Sequence, residues 1–186
     1  MDEYVLLAKK AVESCVKEGK TIKAGKDLPK ELLENKAGVF VTIEYKNQLK
    51  GCIGTYLPTK INIAEEIISN AVAAATKDCR FEPVRKEELP YLSFSVYILS
   101  EPEPVKDLKE LDPKRFGIIV KTSPFIYPNE NPVLDPGIVS KTGLLLPGLE
   151  GIEKAEDQFS IVCQKAGIDP EKEKVFIYRF SAKKHQ

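Results

Sequence analysis

The chain has 186 residues, 42% of them hydrophobic and 30% charged, with 28 basic side chains balancing 28 acidic ones. That composition is globular, sufficient for one domain with its own core, and it excludes intrinsic disorder. The zero formal charge gives no general pull toward nucleic acid or anionic lipid, although a local basic cleft remains compatible with it.

The first residues carry acids ahead of a short apolar run that Lys9 and Lys10 interrupt, which is not the pattern of a signal peptide. No apolar run approaches the roughly 20 residues of a membrane span. A cytoplasmic setting with reduced thiols is therefore expected for the scattered Cys15, Cys52, Cys79 and Cys163. These cysteines lack the paired spacing of a zinc site. His185, the only histidine, lies one residue from the end of the sequence. Unless that tail folds back, no Cys-His or Ser-His pair and no histidine metal site is available.

Asp2 suits the N-cap of a helix carrying Val5, Ala8, Val12 and Cys15/Val16 on one stripe and ending near Gly19. Cys15 reads there as a buried small hydrophobe. A short helix follows Asp27, with Pro29 in its first turn. The period then changes to alternation. Gly38–Tyr45 and Leu49–Tyr56 read as two strands joined at Lys46-Asn47-Gln48. Asn62 caps an alanine-rich helix over 63–75, and Leu92–Leu99 is a further strand. Glu101–Pro104 is broken by proline, and Asp107–Leu111 forms one helical turn. Phe116–Lys121 and Gly143–Leu146 read as strands, while Ser123–Pro136, with its prolines and asparagines, reads as a long surface loop. Glu153–Ala166 is a helix that Gly167 ends, and Val175–Phe180 is a last strand before a frayed basic tail. Helices interspersed with strands on short turns imply an α+β fold with a largely antiparallel or mixed sheet and packed helices.

The stretch Leu49–Tyr56 invites chemistry, because Cys52 stands between Gly51 and Gly54 and beside Lys50. A three-residue turn at Lys46–Gln48 pairs Tyr45 with Leu49, Ile43 with Gly51 and Val41 with Ile53, so apolar meets apolar. It also sets Glu44 opposite Lys50 and Thr42 opposite Cys52. Glu44, Thr42, Lys50, Cys52 and Tyr56 then share one face. Lys50 would favour the Cys52 thiolate, with Glu44 or Tyr56 as proton carrier. The other reading is packing: cysteine is commonly buried, and strand glycines let a helix lie close, for which the Ala71–Ala75 stretch is suited. Both readings stand on the residues alone. Gly51-Cys52-Ile53-Gly54 has the spacing of a KH-type nucleic-acid loop but follows a strand pattern rather than joining helices, and the Gly-Lys-Ser/Thr of a P-loop is missing. Arg80, after the alanine-rich helix, either satisfies the helix dipole or presents an anion-binding fork. Glu150, Glu153 and Glu156 read as a solvated helix start rather than a metal site.

Leu49-Lys50-Gly51-Cys52-Ile53-Gly54-Thr55, Arg80-Phe81 with Pro83, Gly143-Leu144-Leu145-Leu146-Pro147 and Cys163-Gln164-Lys165-Ala166-Gly167 occur together and in this order. The set resembles the AMMECR domain family over about Val39–Phe180. The family includes protein A of the AmmeMemoRadiSam system. The resemblance implies a single domain over 1–186, built as α+β in two lobes with a cleft between them. It further implies a Memo-like protein and a radical SAM enzyme as partners, and it marks Leu49–Gly54 as the signature. Lys50 stands where the family usually has arginine, which weakens any role for a bidentate fork there. Gly148 replaces a common glutamine.

The candidate catalytic set is therefore Cys52, Lys50 and Glu44. The candidate ligand-binding set is Gly51, Gly54, Thr55, Tyr56 and Arg80. No metal site or cofactor motif is evident. A thiol-bearing modification component, an interaction module and a nucleic-acid-associated protein are the competing functions.

Overall fold

The computed structural model describes residues 2–123 and 140–186. Of the surface loop read over Ser123–Pro136, residues 124–136 lie outside the described residues. Contacts divide the chain into two compact units, Met1–Glu101 with Lys183–Gln186, and Pro102–Ala182.

The first unit contains α1 (Glu3–Glu18), α2 (Lys30–Glu34), β1 (Val39–Tyr45), β2 (Gln48–Thr55), α3 (Ile63–Thr76) and β3 (Leu92–Leu99). Its sheet has the order β2-β1-β3-β8, where β8 is Ala182–His185. β1 pairs antiparallel with both β2 and β3. α1 and α3 pack on each other and on the sheet. Val39, Val41 and Ile43 alternate along β1 as fully buried residues, and they join Ile67, Ile68 and Ala71 of α3 and Ala8, Ala11 and Val12 of α1 in one core. The period-2 and helical stripes of the sequence thus meet face to face.

The second unit has a sheet of order β4-β7-β5-β6, formed by β4 (Glu103–Val105), β5 (Gly117–Lys121), β6 (Thr142–Leu145) and β7 (Phe176–Phe180). β4 with β7, β5 with β6 and β5 with β7 all pair antiparallel. α4 (Ala155–Ala166) packs on β5 and β6, with Val162 and Cys163 in the core. The architecture is α+β with two antiparallel sheets. Among the described residues, no helix is long and apolar enough to cross a membrane.

Several local expectations need correction. The hairpin turn is Lys46-Asn47 alone, with both residues at positive φ (51° and 64°). That is the two-residue turn whose twist matches the flanking strands. The extra residue is absorbed in β2 at Lys50, between the pairs Ile43–Gly51 and Glu44–Leu49. From Ile43 onward the register therefore equals that of a three-residue turn, but Glu44 faces Leu49 instead of Lys50. The proline-containing Glu103–Val105 forms edge strand β4, where a missing amide is tolerated. Cys15 is only half-buried.

The tail is not frayed. β8 docks beside β3, and His185 folds back onto the start of α1. Its Nδ1 lies 2.8 Å from Asp2 Oδ2, and its ring stacks on Tyr4 at 3.8 Å. Asp2 also caps α1, accepting from the Tyr4 amide at 2.9 Å. Burial opposes the Asp2 charge, but the bond to His185 and the helix amides together hold its carboxyl below the ordinary value. This pair joins the two ends of the described chain to one helix N-terminus.

Asp2→Ala is expected to cost about 1–2 kcal/mol, from the cap and the His185 partner together, measured by urea unfolding at pH 7. Because the folded Asp2 carboxyl is depressed, its contribution is complete above the unfolded value and is lost as pH falls through the folded one. The Ala variant should therefore approach the parent in stability in acid.

Candidate functional site

The glycines of β2 have assigned neighbours. A Cβ on Gly51 would stand 2.1 Å from Ala74 O, so the backbone of α3 rests on this strand. A Cβ on Gly54 would stand 2.2 Å from the Phe40 ring, which covers the glycine from its cross-strand position. Strand alternation follows. Gly51, Ile53 and Thr55 face the helices, while Cys52 and Gly54 share the opposite face with Thr42, Phe40, Glu44 and Tyr97. Gly143 in the second unit repeats the device, with Val162 O of α4 2.7 Å from its would-be Cβ.

Cys52 is half-buried, and its sulfur lies 3.2 Å from Thr42 Oγ1. β2 is an edge strand, so the peptide groups of Cys52 that point away from β1 need partners. Asp78 and Arg80, just after α3, supply them. The Cys52 amide donates to Asp78 Oδ2 at 2.9 Å, and Arg80 Nη2 donates to the Cys52 carbonyl at 3.3 Å. Arg80 also donates to Asp78 from Nε at 2.9 Å and from Nη2 at 2.7 Å. The Asp78 side chain is 4% exposed, against 54% for Arg80. A charge-assisted fork thus stands in for a neighbouring strand at one residue.

The electrostatics follow from these contacts. The Arg80 side chain bonded to Asp78 holds its carboxyl far below the carboxylate range despite burial, and the Cys52 amide adds to that. Arg80 is raised first by Asp78; burial opposes this, and charge on Cys52 and Cys79 adds a smaller upward push. Tyr97 is raised by burial first, then by charge on Cys52 and Glu44. Of the other thiols, Cys79 is exposed, while Cys163 is buried and pushed up by that burial.

The predicted residues separate into different roles. Lys50 does not pair with Glu44: its Nζ donates to Glu88 Oε1 at 2.9 Å, and both side chains are less than one-fifth exposed. Glu88 belongs to the 3-10 turn Lys86–Tyr91 and also accepts from the Arg85 amide at 2.8 Å. Burial opposes the Glu88 charge, but these two donors hold its carboxyl down. Glu44 remains on the Cys52 face, with Ser93 Oγ 3.4 Å away. Thr55 points the other way and donates to Glu66 at 2.8 Å. Arg80 is the residue of the ligand-binding set that reaches Cys52, and it does so through the backbone. Tyr56 directly follows β2.

Asp78, Glu88 and Glu66 went unnoticed in the sequence. Asp78 carried a signal: an acid two residues before an arginine, at a helix end, is placed to bind it. Glu66, an acid in the first turn of α3, is fully buried. It accepts from Thr55 Oγ1, the Thr59 amide and hydroxyl, and the Lys60 amide, all within 2.9 Å.

Two outcomes test this geometry. Gly51→Ala should cost about 2 kcal/mol or more by overpacking, measured by urea unfolding. Asp78 is depressed on folding, so its stabilisation is complete above the unfolded value and is lost as pH falls through the folded one. The parent should therefore lose stability below about pH 4, and Asp78→Asn should flatten that part of the profile.

The AMMECR1 family model matches residues 5–185. A Thermotoga maritima protein is 44% identical over 184 residues, covering 98% of this chain and 97% of that protein. A Clostridium acetobutylicum protein is 39% identical over 186 residues, and the chain spans 36% of its length. The crystal structure of the uncharacterized protein PH0010 from Pyrococcus horikoshii superposes with a TM-score of 0.81 at 33% identity, covering 97% of this chain and 88% of that one. With the fold and nearly the whole sequence matched, the chain belongs to the AMMECR1 family.

Proposed function

We propose that this protein is a cytoplasmic component of an AmmeMemoRadiSam-type modification system in which Cys52 is the reactive or ligand-holding thiol. A Memo-like protein and a radical SAM enzyme are its proposed partners. The observation that carries the reading is the grip on Cys52. Both outward peptide groups are fixed by the Asp78–Arg80 fork, while the half-buried sulfur lies beside the Thr42 hydroxyl. Fixing the backbone of a nucleophile lowers the entropy lost when a reactant is positioned.

In the step that follows from this arrangement, the thiol gives its proton to water. Its sulfur then forms a bond to an electrophilic carbon, and the leaving group departs with the electron pair of the broken bond. Glu44 and Tyr97 share the face on which such an electrophile would lie. Lys50 is not part of this chemistry, because Glu88 holds its ammonium; it stiffens the strand instead.

A second reading, an interaction module, is favoured by one observation. Gly51 and Gly54 are both accounted for by packing against Ala74 and Phe40. On that reading the signature shapes a surface and the thiol is incidental.

Iodoacetamide labelling of the folded protein between pH 5 and 10, resolved by mass spectrometry, separates the two. Cys52 should label ahead of the buried Cys163, and Arg80→Gln, which removes the donor to the Cys52 carbonyl, should slow it. Resistance of Cys52 to labelling until the chain unfolds would overturn the chemical reading and leave the interaction module.

A further inference from the structure

Cys52 has a second thiol in its neighbourhood. Cys79 sits at the tip of a turn that the Phe81 amide closes by donating to Asp78 O at 3.1 Å, and its side chain is exposed. The residues on either side of it are the two that grip Cys52. Asp78 accepts from the Cys52 amide at 2.9 Å, and Arg80 donates to the Cys52 carbonyl at 3.3 Å. Cys79 is one peptide from Asp78, a Cα step of about 3.8 Å, so the gap between the turn and the strand is about one side chain. Asp78 is the main influence raising the Arg80 guanidinium, and charge on Cys52 and on Cys79 each adds to it. Both sulfurs therefore lie near the same cation.

The other two thiols are placed elsewhere. Cys163 belongs to the core of the second unit. Cys15 is on α1, which packs with α3 on the sheet face that Cys52 turns away from. β2 is an edge strand, so a side chain from the 78–81 turn reaches the Cys52 face round that edge, with no further strand to cross. A half-buried thiol with an exposed one on a short turn beside it is the arrangement in which the first is oxidised and the second resolves it.

We propose that Cys79 is the resolving thiol of Cys52, and that the two close a reversible disulfide when a hydroperoxide reaches the site. The inference rests on the reading of Cys52 as a reactive thiol and adds its regulation. Cys52 gives its proton to water, and its sulfur forms a bond to the terminal oxygen of the peroxide. The O–O bond breaks, and the departing oxygen takes the electron pair and a proton, leaving as an alcohol or water. Cys52 is then a sulfenic acid, oxidised by the two electrons that the peroxide gained. The Cys79 sulfur, having lost its proton, attacks the Cys52 sulfur. The S–O bond breaks, and hydroxide leaves with the pair and is protonated to water. Closure brings the two Cα atoms within about 4.4–6.8 Å, and the exposed turn is the part that moves. The bridge stops Cys52 short of the irreversible sulfinic acid, and a dithiol reductant reopens it by exchange.

The test treats the dilute, reduced full chain with tert-butyl hydroperoxide, blocks remaining thiols with iodoacetamide, and maps unreduced peptides by mass spectrometry. A peptide linking Cys52 to Cys79 is expected, with loss of both labels and their return after dithiothreitol. Cys79→Ser should leave a Cys52 sulfenic acid that dimedone traps, and Cys52→Ser should form no bridge within the chain. Cooperative urea unfolding confirms that each serine variant is folded. A Cys79 bridge between two copies, Cys52 linked to Cys15 as often as to Cys79, or a lasting Cys52 sulfenic acid in the parent would overturn the proposal. If Cys52 labels in the folded, reduced chain but no bridge closes, the resolving role of Cys79 fails while the reactive thiol stands. If Cys52 labels only after unfolding, both fail.

Discussion

The backbone of α3 rests on β2 at Gly51, and the arrangement of the first unit depends on that contact. With Ala74 O 2.1 Å from where a Cβ would stand, helix and strand approach more closely than any side chain permits. The contact fixes which face of β2 looks inward. Once Gly51 faces the helix, alternation sends Ile53 and Thr55 the same way and Cys52 the other. The position of the thiol is thus a consequence of a packing demand one residue away.

Polar groups then secure α3 to β2 along its length. Glu66 binds Thr55 near the helix start, and Asn70 donates to Val39 O at 2.9 Å in the middle. Asp78 takes the Cys52 amide just beyond the end. Glu66 and Asp78 are buried acids, and several hydrogen-bond donors converge on each, which satisfies groups that burial would otherwise leave unpaired. Removing one partner from such a group costs more than the bond itself contributed. The same network fixes the Thr59 and Lys60 amides of the segment after β2. The fork at Cys52 is therefore one output of this helix–strand joint.

Much of the architecture was legible because it rests on periodicity and caps. The alternation of Val39, Val41 and Ile43, the Asn62 cap and the alanine-rich α3 all depend on residues near one another in sequence. The cross-strand neighbours of Cys52 and Gly51 were legible as well, since the apolar faces of β1 and β2 agree in only one register. The turn was not. Lys46 and Asn47 both adopt the left-handed region, a conformation that Lys seldom shows and sequence statistics discourage. The bulge at Lys50 compensates, so a wrong turn length and a missed bulge cancelled in the register while moving Lys50 to Glu88.

By itself, the sequence determined the alternating strands, the capped helices, the α+β class and the family signature around Cys52. Each is a local pattern, or a set of patterns in order. The tertiary structure alone decided the partners of charges distant in sequence: Lys50 with Glu88, and His185 with Asp2. It also decided that Glu66 is buried rather than solvated. The physical reason is that an ion pair depends on distance in space. Lys50 and Glu88, or Asp2 and His185, stand far apart in sequence, and only the packing of helix on sheet and strand on strand brings their charges into contact.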